Sequence, residues 1–257
     1  MNRCFSNAVI MLLIAGLSAC ASSKEREADQ EKINKRAETH VMLGASYMQR
    51  GQLDVAKVEL ETALSDAPKN SQANSMMAVL QWRLKNPDEA DRFFRKALTI
   101  DPKNSSAHDI YGAFLCERGK FDEGIKHFNI AIDDTLYSYV ADANVNAGIC
   151  LMKKPAPAAA EKYFREALRI NPRLPGALYQ MAQLSLDSGQ ALSARAFIER
   201  YFQSAEDSPA ALLLAVKIER ALKSKNAEAS YAMRLRGKFP DSPEAGQLQV
   251  APKKRNK

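Results

Sequence analysis

The side chains with the most chemistry to offer are four cysteines and three histidines. Cys4 and Cys20 lie near the start of the chain, whereas Cys116 and Cys150 sit mid-chain, 34 residues apart. A thiolate can be acylated, oxidised, bound to a metal or used as a nucleophile, and its spacing from other groups decides which. No Cys-x-x-Cys pair or His-Glu-x-x-His run is present, and His40, His108 and His127 are scattered. Metal ligation is therefore not expected, and neither is a cofactor. Gly-x-Ser-x-Gly, the P-loop and the dinucleotide fingerprint are also missing. Glu59 and Glu61 read as solvated carboxylates on a helix. The expectation is a protein that is not an enzyme, with no catalytic residue, in which packing accounts for the histidines.

Cys20 has the most definite context. Arg3 supplies a positive charge, Phe5 to Leu17 is mostly apolar, and Leu17-Ser18-Ala19-Cys20 closes the stretch. The run falls short of the roughly 20 residues needed to span a bilayer, so it reads as an export signal over 1–19. Its last four residues resemble the lipobox of bacterial lipoproteins, which implies cleavage before Cys20 and lipidation of that residue. More than one acyl chain makes such an anchor durable, at about 0.8 kcal/mol per buried methylene. Ala21, standing where Asp would signal inner-membrane retention, implies the outer membrane, lipid-anchored and facing the periplasm. Residues 20–36 then form the lipidated N-terminus and a charged segment with few large apolar side chains, a flexible tether or a helical lead-in.

Beyond the tether, small and large residues recur at fixed offsets. Ala56, Leu60, Ala63 and Pro68 are followed 34 residues later by Ala90, Phe94, Ala97 and Pro102, and again by Ala160, Phe164, Ala167 and Pro172. The period divides residues 37–242 into six units: 37–70, 71–104, 105–140, 141–174, 175–208 and 209–242. The third is two residues longer, around Leu136 to Val140. The pattern resembles the tetratricopeptide (TPR) repeat, two antiparallel helices joined through small residues where their backbones meet. It implies an all-α fold, a right-handed superhelical solenoid of about six helix pairs. Gly51, Gly119 and Gly189 fall at the intra-pair turns, with Pro155 in that slot in the fourth unit. Ser208-Pro209 and Ser242-Pro243 read as N-cap and N1 positions. The last of these predicts a short capping helix to about Val250, within a 243–257 segment that ends in a basic tail.

Cys116 and Cys150 fall in the first helices of the third and fourth units, which are neighbours in a solenoid. Two readings are open: a disulfide stapling the two units, or two small buried thiols filling tight spots. The first helices also line the concave face, at the second, fifth, ninth, twelfth and thirteenth positions. These are Glu38, Val41, Ala45, Met48 and Gln49 in the first unit, Gln72, Ser75, Val79, Trp82 and Arg83 in the second, and Asp142, Val145, Ile149, Met152 and Lys153 in the fourth. The stripe turns polar in the fifth and sixth units, with Gln183, Asp187, Lys217 and Arg220. Val41, Ala45, Met48, Val79 and Trp82 are thus the candidate partner-binding residues. Trp82, the chain's one Trp, is either an anchor for a partner peptide or packed between first helices; Met48 and Met152 are either adaptable surface or core.

The formal net charge is +7, with Lys253, Lys254, Arg255 and Lys257 concentrated in the tail. Export, and the lack of a nucleic-acid motif, argue against nucleic acid as a partner. A lipobox followed by six such repeats, with HDIYGAFLCERGKFDEGIKHF at 108–128 and NVNAGIC ending at Cys150, resembles the PilF/PilW family of type IV pilus biogenesis lipoproteins. The resemblance implies a pilotin, which binds the outer-membrane secretin subunit and promotes its localisation and multimerisation. The alternative function is a lipoprotein scaffold recruiting peptidoglycan-remodelling enzymes.

Overall fold

A computed structural model describes residues 28–154 and 156–248. The expected export signal, Cys20, the start of the expected tether, Pro155 and the basic tail lie outside the described residues. All regular elements among those residues are helices. The chain divides into two compact units between Ala107 and His108.

The first unit holds α1 (28–49), α2 (Leu53–Asp66), α3 (Ser71–Arg83) and α4 (Pro87–Ile100). Residues 28–36 form a helical lead-in, and Arg36 Nε donates to Asp66 Oδ2 at 2.6 Å. The second helix of each pair carries the small–large–small pattern on one face: Ala56, Leu60 and Ala63 on α2, and Ala90, Phe94 and Ala97 on α4, are all fully buried. Small residues let two backbones approach while the large one fills the space beside them. A Cβ on Gly44 would stand 2.7 Å from Leu60 Cγ. Asn70 caps α3 by accepting from Ala73 N at 2.8 Å.

α5 (Ser105–Glu117) contains the division. The second unit continues with α6 (Phe121–Asp133), α7 (Val140–Lys153), α8 (Pro157–Ile170), α9 (Pro175–Asp187), α10 (Ala191–Ser204), α11 (Pro209–Ala221), α12 (Lys225–Lys238) and α13 (Pro243–Gln247). Phe128, Phe164 and Ile198 repeat the buried large position, and α7, α9 and α11 touch in succession. Ser208 and Ser242 accept from Ala211 N and Ala245 N, so both Ser-Pro signals are helix starts. α13 packs on α11 and α12, where Ala245 and Leu248 meet Leu212, Leu213 and Leu235.

Five of the intra-pair turns share one backbone requirement. Gly51, Gly119 and Gly189 have φ of 75°, 77° and 75°, and at the equivalent place the second and sixth pairs use Lys85 (φ 62°) and Lys223 (φ 57°). A Cβ in that region meets the neighbouring carbonyl, so only glycine adopts it without strain.

Candidate protein-binding surface

On the first unit, the five residues chosen from spacing do not share one environment. Val41 is 4 % exposed and packs with Ala37, Ala63, Ala67 and Ala73, while Met48, 3 % exposed, packs with Ala56, Leu60, Met77 and Leu80. Both are core residues, which corrects their assignment to an accessible face. The fifth position of a unit points at the adjoining first helix, and Ser75, Asp109, Val145 and Leu213 are buried at the same position. Met48 thereby resolves as core filler.

Ala45 and Val79 are partly exposed and rest on the Met48 cluster from opposite helices, α1 and α3. Trp82, half-buried, lies one turn beyond Val79 on α3, and Arg83 Nη1 donates to Met48 O at 2.6 Å. That bond ties the end of α3 to the end of α1. Ala45 and Val79, resting on the Met48 cluster, and Trp82 one turn further along α3 make up a strip, Ala45–Val79–Trp82, next in sequence to the exposed Arg83. An apolar strip of fixed shape with a large aromatic at its end suits the side of a partner helix or an extended segment.

On the second unit the corresponding residues surround a covalent bond. Cys116 and Cys150 are joined as a disulfide with Cα atoms 5.6 Å apart. A small cavity of about 70 Å³ lies beside it, lined by Ala113, Asn146, Ile149 and Lys153 among others. Met152 is partly buried against the Val145 cluster. Further along, Gln183 Nε2 donates to Asp187 Oδ1 at 2.8 Å, while Lys217 and Arg220 are exposed.

The histidines are held by side chains across their helix pairs. His40 Nδ1 is 2.7 Å from Glu59 Oε2, so Glu59 is part of a helix-pair contact and is less solvated than its sequence context suggests. Glu61 is solvated beside Lys57. His108 Nδ1 lies 2.7 Å from His127 Nδ1 in the same repeat slot. No cluster of three or more His, Cys, Asp or Glu side chains able to hold a metal occurs among the described residues.

Two carboxylates of the second unit, Asp109 and Asp207, are shifted in opposite directions. Burial pushes the Asp109 carboxyl up, against the pull of hydrogen bonds from Asn146 and Tyr137. Asp207 is held below the usual carboxylate range, chiefly by its hydrogen bond from Arg234, with Lys238 Nζ at 2.7 Å. Glu219, 2 % exposed, accepts from Arg195 Nε at 2.8 Å and links α10 to α11. Each of these groups has a structural partner: Asn146 and Tyr137 for Asp109, Arg234 and Lys238 for Asp207, and Arg195 for Glu219; the Asp142 carboxylate also acts on Asp109 and adds to its upward shift.

Comparison with known proteins fits this geometry. Tetratricopeptide repeat family models match residues 47–114 and 151–218, and another matches 115–175. The type IV pilus assembly protein PilF of Pseudomonas aeruginosa is 30 % identical over 246 residues, spanning 95 % of this chain and 97 % of its own. The solved structure of Pseudomonas aeruginosa PilF superposes with a TM-score of 0.75 at 29 % identity, covering 85 % of this chain and 98 % of the other. That of PilW, a type IV pilus biogenesis factor, gives 0.76 at 31 % identity, covering 84 % and 100 %.

Proposed function

Because the chain belongs to the tetratricopeptide repeat proteins, and among them to the PilF/PilW family of type IV pilus biogenesis factors, we propose that it is a pilotin that binds the outer-membrane secretin subunit. The observation that carries this reading is the match to PilF along 95 % of the chain, where a shared repeat alone would account for isolated helix pairs. Lipid on Cys20 supplies the address in the outer membrane, and the repeats supply the grip. No bond is made or broken by this protein. It acts through differential affinity, holding the unassembled secretin subunit until it reaches its membrane and multimerises.

The grip assigned to the first unit is the strip Ala45–Val79–Trp82, with Val41 and Met48 fixing its shape from inside. Burying a half-exposed indole against a partner contributes enough that its truncation costs about 2 kcal/mol or more at a hot spot. Titration of the purified chain with the secretin's periplasmic region tests this. Trp82→Ala should weaken binding by about thirtyfold, which corresponds to 2 kcal/mol, while its thermal melt by circular dichroism stays cooperative. Unchanged affinity removes the strip from the interface. Failure of the wild-type chain to bind secretin, together with recovery of peptidoglycan hydrolases from solubilised membranes, would replace the pilotin reading by the scaffold one.

A further inference from the structure

The connection between α6 and α7 is six residues long, 134–139, where the α2–α3, α4–α5 and α8–α9 connections have four. It presents Leu136 at 90 % exposure and Tyr139 at 62 %, and Leu136 is the most exposed large apolar side chain among the described residues.

The loop is built to a fixed shape. Asp134 Oδ1 accepts from Leu136 N at 3.0 Å, and Tyr137 N donates to Asp134 O at 3.0 Å. Tyr137 Oη donates to Asp109 Oδ2 at 3.0 Å, and Asn146 Nδ2 donates to Asp109 Oδ1 at 3.0 Å. Asp109 is only 6 % exposed, so a buried carboxylate, expensive to desolvate, is spent on anchoring a surface loop. The Tyr137 and Tyr139 rings sit 5.8 Å apart, which fixes the direction of the exposed ring. A preorganised loop loses little conformational entropy when it docks.

Its electrostatics are opposite to those of the chain. Lys and Arg number 37 against 30 Asp and Glu overall, yet no Lys or Arg occurs from His127 to Met152, while Asp133, Asp134 and Asp142 flank the two apolar side chains. Two-fold contact between copies would set these three carboxylates against their own equivalents, and an anionic bilayer would repel them. A cationic protein surface is the complement that remains.

We propose that the α6–α7 loop is a second docking site, separate from the Ala45–Trp82 strip, whose Leu136 and Tyr139 enter an apolar socket rimmed by Lys or Arg on a partner protein. The test uses the full-length chain in its own cells, with a photoreactive phenylalanine analogue at position 136 and, as control, at Leu192, which is 70 % exposed on α10. The expected result is an adduct from position 136 only, in which the captured peptide carries apolar residues flanked by Lys or Arg. Combined Asp133→Lys and Asp142→Lys should cut its yield about fivefold or more, because like charges now face each other. Tyr137→Phe, which keeps the ring and removes the bond to Asp109, should lower it as well. No adduct above the control, an adduct with lipid or another copy of the chain, or a yield indifferent to charge reversal overturns the proposal. The outcome is independent of the secretin titration, since one site is the α6–α7 loop and the other lies on α1 and α3.

Discussion

Gly124, the fourth residue of α6, should respond to alanine in the direction opposite to that expected of an exposed helical glycine. Alanine in a helix interior is normally favoured over glycine by about 1 kcal/mol. At Gly124 the added Cβ would stand 2.4 Å from Cys116 Sγ and 2.9 Å from Gly112 O. The sulfur is bonded to Cys150 and cannot rotate away, and the oxygen belongs to the backbone of α5. Overpacking a tight core contact costs about 1–3 kcal/mol, and more when neither neighbour can yield. With neither neighbour free to yield, the cost falls at the upper end of that range, about 2–3 kcal/mol, and the net expectation for Gly124→Ala is a loss of about 1–2 kcal/mol. Gly237 on α12 is the matched control: nothing lies within 4 Å of its would-be Cβ, so Gly237→Ala should gain up to about 1 kcal/mol. Urea unfolding of the oxidised protein, followed by circular dichroism, reads both signs as shifts of the midpoint at constant slope. In a Cys116→Ala background the sulfur clash is gone, and the penalty of Gly124→Ala should shrink by about half or more. If Gly124→Ala is as stable as the parent, or costs the same with and without the sulfur, the close crossing of α5 and α6 at the disulfide is refuted.

Reducing the Cys116–Cys150 bond should destabilise the chain by about 3–4 kcal/mol, the loop-closure entropy expected for a separation of 34 residues, measured as the urea midpoint with and without reductant. Lys85→Gly and Lys223→Gly relieve positive φ at two intra-pair turns and should each raise stability by about 0.5–1 kcal/mol in thermal melts. Asp207→Asn should cost about 1–2 kcal/mol at pH 7, because the buried carboxylate loses its charge while Arg234 and Lys238 remain solvated. With its folded pKa lowered, Asp207 contributes stability that is present above the ordinary carboxylate range and disappears as pH falls through that folded pKa, so the gap between parent and variant should close as the medium is acidified. Asp109, whose pKa is raised by burial, has the opposite sign and loses its contribution as pH rises.

The helix pairs were legible because the physics that builds them is local and repeated. Ala56, Leu60 and Ala63 recur as Ala160, Phe164 and Ala167 at the same offsets, and all six are fully buried. Ser208 and Ser242 announce helix starts through their own side chains, independent of anything distant. The candidate surface was harder to read because a first helix carries two adjacent apolar faces, one open and one against its neighbour. A shift of one or two positions in register separates them. Val41 and Met48 fell on the closed face, while Ala45 and Val79 fell on the open one. The same position across the six repeats carries a mixed signal: the fifth residue is Val41, Ser75, Asp109, Val145, Tyr179 and Leu213, and the two polar members hid a position that is closed in five of the six units. The α6–α7 loop showed in the sequence only as two extra residues, since its anchoring by Asp109 depends on a contact 28 residues away.

Fractionating cells for secretin rings in the outer membrane tests the proposed delivery and assembly of a secretin by an anchored chain most directly. A strain lacking the protein, and one carrying Cys20→Ala, should both lose assembled rings from that membrane, and the unaltered chain should restore them. Rings at normal abundance in the outer membrane of either strain would contradict the account.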